Sequence, residues 1–193
     1  MRRAIVAGCV ALVALAACAR ASSRANPLAV EAGVPIDMEL MAYLSMARAR
    51  HHEANLEEDE DLPAAIGAIT QVVKAPRPHP GSNVPEIEEV LADTYARLAE
   101  LELRRQDVNA ASEDVKQGLT HAQEPTYFRG HLLEMGGLAE EAREGALRDA
   151  GASAAAAAAR QKAIDLFHQA VAVQEQVVKD SLRGDAGNVG SGK

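Results

Sequence analysis

From Asp37 onward, apolar residues recur at three- and four-residue steps, separated by short polar breaks. The clearest stretch covers residues 91–119. Leu91, Tyr95, Leu98 and Leu101 share one helical face, and Val108, Ala111, Val115 and Leu119 share another. Arg105-Gln106-Asp107 separates the two. This period buries one stripe of each helix. Asp107 is placed to cap the second helix, because its carboxylate can accept from a free first-turn N–H. The stretch therefore predicts a helical hairpin with facing apolar sides.

The flanking sequence repeats the pattern. Asp37 caps a predicted helix that runs to about Glu57, with Leu40, Leu44 and Ala47 on one face. The acidic run 57–61 reads as a solvated turn, since it lacks the glycine and the alternate spacing of a calcium loop. Leu62 to Lys74 predicts a shorter helix, with Pro63 tolerated in its first turn and Ala65, Ile66, Ile69 and Val73 as its buried stripe. Pro76, Pro78, Pro80 and Pro85 make residues 75–85 a linker. Asn83 and Glu86 then have the spacing of a capping box for the central hairpin. A further helix is predicted from about Thr126 to Asp149, with Phe128, Leu132, Met135, Leu138 and Ala142 on one side. Gly136-Gly137 is expected to kink or split it. Gly151 breaks the pattern, and Ser153 opens a last helix to about Leu182, with Ile164, Phe167 and Val171 as its stripe. Residues 184–193 read as a frayed, disordered tail.

Strand-like alternation is absent, so residues 36–183 read as an all-α domain. The whole chain is 48% hydrophobic but only 3% aromatic. Such alanine-rich helices can approach closely, as in an array of about three antiparallel helix pairs; an irregular up-down bundle is the alternative. The formal charge of −8 argues against a general nucleic-acid binder. Both cysteines, Cys9 and Cys18, fall in the first eighteen residues, so nothing beyond them can form a disulfide or a thiolate metal site.

The remaining polar residues make no catalytic constellation. His51, His52 and Glu53 are adjacent and diverge around a helix. His131 and Glu134 share a face but offer two ligands, where catalytic zinc takes three and structural zinc four. His168 reads as a half-buried packing residue. No glycine-rich phosphate loop and no nucleophile elbow occurs. The expectation is a protein without metal or cofactor, and not an enzyme.

The N-terminus carries an address. Arg2 and Arg3 precede the apolar run Ala4–Ala14, the layout of a secretory signal peptide and too short for a membrane span. Leu15-Ala16-Ala17-Cys18 resembles the lipobox of bacterial lipoproteins. The resemblance implies a signal peptide over 1–17 and lipidation of Cys18, whose several acyl chains suffice for stable anchoring. An ordinary secreted protein cut near Ala17 or Ala19 is the alternative. Residues 18–35, with Ser22, Ser23, Asn26, Pro27, Gly33 and Pro35, then form a tether. Ala19 stands where aspartate retains such proteins in the inner membrane, which implies the outer membrane, facing the periplasm.

Residues 107–119 resemble the second helix of a tetratricopeptide repeat, with Ala111, Val115 and Gly118 at its small and apolar positions. Tyr95, Leu98 and Ala99 match its first helix, and Glu102 departs from it by replacing an aromatic. Ala163, Phe167 and Ala170 match again, and Ala65, Ile69 and Val72 less well. Ala65, Ala111 and Ala163 are 46 and 52 residues apart, against about 34 in that family, so the array is divergent. The resemblance implies a superhelical protein-binding scaffold whose partner, a protein or peptide, meets the first helix of each pair. On the central hairpin that helix offers Asp93, Ala96, Glu100 and Arg104. A structural accessory of an envelope machine, such as a pilotin-like assembly factor, is the second reading.

Replacing Cys18 with Ser should abolish incorporation of a fatty-acid analogue and leave the chain uncleaved or released from membranes. Equal labelling of wild type and Cys18→Ser would remove the anchor.

Overall fold

The computed structural model describes residues 36–188. The expected signal peptide, Cys18 and the tether lie outside the described residues. Within them the chain is all-α, with α1 Met38–Glu57, α2 Leu62–Lys74, α3 Pro85–Arg104, α4 Val108–His121, α5 Tyr127–Asp149 and α6 Ser153–Asn188. Four of these helices begin at side-chain caps. Asp37, Asp61 and Asp107 each accept from the N–H three residues on at 3.0 Å, and Thr126 accepts from Arg129 N–H at 3.2 Å. These oxygens satisfy donors that the first turn leaves free.

The start of α3 differs from the expected capping box at Asn83. Val84 is the cap residue and makes no side-chain bond. Proline forces the residue before it out of helical geometry, and Val84 is extended at φ −103°, ψ 110°. Pro85 then opens the helix, where its missing N–H costs nothing. At the far end, Gln106 turns the chain with φ +65° before Asp107 caps α4. Gly151, at φ +75°, makes the turn from α5 into α6.

The helices pair as antiparallel hairpins, α1 with α2, α3 with α4 and α5 with α6. Successive pairs meet through α2 and α3 and through α4 and α5, and the first helices α1, α3 and α5 touch in turn. Among the described residues α1 and α6 do not meet. The order is that of a linear array, in which each unit touches its neighbours, rather than a closed bundle.

Helix α3 holds the array together. Leu98 and Leu101 pack with Ala54, Ala65 and Ile69 of the first pair. Ile87 and Leu91 join Tyr43, Ala47 and Val72. Ala92 and Ala96 lie against Ala122 and Leu132, and Ala99 against Ala111, Val115 and Met135.

Small residues sit where helices come closest. A Cβ on Gly118 would lie 2.4 Å from Leu132 Cδ2 and 2.9 Å from Tyr95 Cβ, and one on Gly137 would lie 2.5 Å from the Phe167 ring. Helix α5 is a single helix through Gly136-Gly137 and is not split there. The two glycines are contact surface for the neighbouring helices. The buried stripe of α2 is Ala65, Ala68, Ile69 and Val72, with Ile66 and Val73 at its margin. In α6 the buried positions are Ala156, Ala159, Ala163 and Ala170, while Ile164 and Val171, expected inside, are exposed. The helix also extends to Asn188, past its expected end near Leu182.

Ala111 and Ala96 are both 0% exposed. Ala111→Leu and Ala96→Leu should each destabilise the fold by about 1–3 kcal/mol through overpacking. Urea melts check this; a loss within about 0.5 kcal/mol, the usual surface range, would place either residue outside the core.

Candidate functional site

One strip of α3 escapes full burial. Asp93, Arg97, Glu100 and Arg104 follow steps of four, three and four residues, so they share a face. That face lies between α1 and α5, on the side formed by the first helices. The strip retains three of the four expected partner-facing residues and corrects the fourth. Ala96 is buried against Ala122 and Leu132 and cannot meet a partner. Arg97, one position on, takes its place.

Arg97, Glu100 and Arg104 on this strip are already paired. Arg97 reaches Glu58 Oε2 at 2.5 Å, Glu100 Oε2 at 2.5 Å and Asn55 Oδ1 at 3.0 Å. Arg104 donates to the same Glu58 carboxylate at 2.6 Å and to Asp59 at 2.9 Å. Burial alone would lower the pKa of Arg97, but Glu100 and Glu58 outweigh it and raise the pKa further. Asp93 faces α1, 3.8 Å from His51 Nδ1. The other nitrogen of His51 lies 3.1 Å from Thr94 Oγ1. Burial lowers the His51 pKa against the opposing pull of Asp93, which favours a neutral ring. The acidic run that reads as a solvated turn therefore has a second job. Glu58 and Asp59 draw the two arginines of α3 to the end of α1.

Below this strip α3 and α5 enclose an open trough of about 490 Å³, lined by Glu100, Leu103, Arg104, His131, Met135, Leu138 and Ala142. Its floor is apolar, and Leu138 is 37% exposed there. His131 Nδ1 is buried without a hydrogen-bond partner. Sequence periodicity places Met135, Leu138 and Ala142 on one apolar side of their helix. It does not show that Leu138 stays open while Met135 is covered.

A second hollow, about 520 Å³, lies at the opposite ends of the helices, around Pro85, Glu88, His121, Ala122 and Phe128. Two of its ionisable groups are engaged with each other: Glu88 takes both Arg77 and His121 Nδ1, the latter at 2.7 Å. His121 also stacks on Tyr95 with ring centres 5.6 Å apart. Among the described residues no group of three or more His, Cys, Asp or Glu could hold a metal ion, and no helix is long and apolar enough to cross a membrane.

Comparison with protein-family models, curated proteins and solved structures finds no match to the chain. The functional argument therefore rests on the geometry.

Asp114 on α4 is the group most displaced from its ordinary titration. Burial, then Glu102, Glu113 and Asp107, push its pKa from 3.8 up to about 7. A carboxyl raised in this way contributes its stability fully below 3.8 and loses it as pH rises through about 7. Asp114→Asn keeps the side chain neutral. It should match wild type near pH 4 and exceed it near pH 8 by about 1–2 kcal/mol, the solvent-screened part of the shift. Melts across that range check the sign, and an equal offset at both ends would assign the effect to packing.

Proposed function

We propose that this chain is a lipid-anchored, protein-binding scaffold of the bacterial envelope, held by Cys18 at the outer membrane and facing the periplasm. The observation that supports binding is the trough between α3 and α5. It is open and apolar at its floor, and its rim charges are satisfied by residues of the same chain. A partner segment gains by burying apolar side chains against Leu138 and Ala142, the exposed apolar residues of the trough, since such burial is worth about 25 cal/mol per Å². Glu100 and Arg104 limit the orientation of the bound segment. The tether expected over 18–35 leaves room for the partner between domain and lipid.

A photo-crosslinking residue at position 138 should give discrete adducts in the envelope. The same residue at Lys116, on the exposed face of α4, should not. Leu138→Asp should change stability by no more than about 0.5 kcal/mol, yet remove adducts formed from a crosslinker at Ala142. Identical adducts from 138 and 116, or none from 138, would overturn the trough as the binding site.

A further inference from the structure

Helix α6 leaves a face uncovered. Ile164, Val171, Val178 and Leu182 are 38%, 53%, 58% and 66% exposed. Their steps of seven, seven and four residues put them on one stripe, about 27 Å long at 1.5 Å per residue. The alanines that pack on α5 lie on a different face. His168 and Glu175 complete the stripe, so that it runs in alternating steps of four and three residues, the repeat of a two-helix seam. His168, expected to be half-buried, is exposed. In a linear array the apolar face of each unit is covered by the next. No helix among the described residues covers this face of α6.

We propose that a second copy of this chain covers the stripe, with the two α6 helices packed antiparallel. The charges select this arrangement. In the register that sets Ile164 against Leu182 of the second copy, Val178 meets His168 and Val171 meets Glu175. The same register brings Asp165 beside Lys179 of the second copy, and His168 within a turn of Glu175 of the second copy. The two-fold axis makes each pairing occur twice. A parallel pair would set Glu175 against Glu175 within the seam, where the two carboxylates repel. Within one chain, Asp165 accepts only from Gln161 of its own helix, at 3.0 Å, and Lys179 reaches Glu175 at 3.2 Å. Both are therefore exposed and available to a partner helix.

The antiparallel register places Ala172 opposite Ala172 of the second copy and leaves Asp165 far from its own counterpart. In the full chain with Cys9 and Cys18 replaced by Ser, Ala172→Cys should form a disulfide-linked dimer on mild oxidation. Asp165→Cys should form no disulfide with its own kind, but should cross-link to Lys179→Cys when the two chains are mixed. Sedimentation velocity of the parent chain should show a monomer–dimer equilibrium over micromolar concentrations. Val171→Asp should abolish the dimer with unchanged helical circular dichroism, because the side chain it alters is exposed. Equal cross-linking at 165 and 172 would overturn the register. A parent chain that remains monomeric, or that binds phospholipid vesicles through this stripe instead, would overturn the self-pairing.

Discussion

Every helix but α6 packs against α3, and alanine allows it. Ala92, Ala96 and Ala99 are fully buried at the approaches of α4 and α5, while Leu98 and Leu101 fill the space toward α1 and α2. Larger side chains at the alanine positions would push the pairs apart, because protein interiors pack near crystal density. Gly118 and Gly137 serve the same purpose beside Leu132 and Phe167. With so few aromatic rings in the chain, close helix approach supplies most of the buried area that bulky side chains supply elsewhere.

The encirclement of α3 also shapes its chemistry. The strip left between α1 and α5 carries alternating charges, and partial burial makes each of them costly unless paired. Arg97, Arg104, Glu58 and Glu100 therefore satisfy one another. The same logic operates at the other pair, where the buried Glu140 takes Arg143 at 2.9 Å and Lys162 at 2.7 Å, and Arg143 reaches Ser112 at 3.0 Å. These carboxylates tie neighbouring helices into one body. What the trough leaves open is an apolar floor beneath a rim whose charges are matched within the chain.

The two open apolar surfaces differ in kind. The trough is concave and lies on the first helices, where a linear array gathers its inner side. The stripe of α6 is convex and repeats at helical intervals, which suits another helix rather than an extended segment. The two surfaces share no residue, so covering one leaves the other accessible.

Much of the architecture was legible in the sequence because its causes are local. Asp37 and Asp107 mark helix starts through bonds to the next turn, and Gly151 marks a stop through its positive φ. The repeat-like positions Ala65, Ile69 and Val72, then Ala111, Val115 and Gly118, then Ala163 and Ala170, are all buried, since the inside of each hairpin admits small or compact residues. What the tertiary structure decided are the faces that depend on a third helix. Periodicity predicts one buried stripe per helix, but α3 has neighbours on several sides, so Ala96 is enclosed and Arg97 lies on the half-buried strip. On α6 periodicity favours the larger Ile164 and Val171, but the close approach to α5 seats alanines there, with Phe167 fitted against Gly137, and leaves Ile164 and Val171 outward. The residue types define which helices form; the distance between packed helices determines which side of each one is left to act.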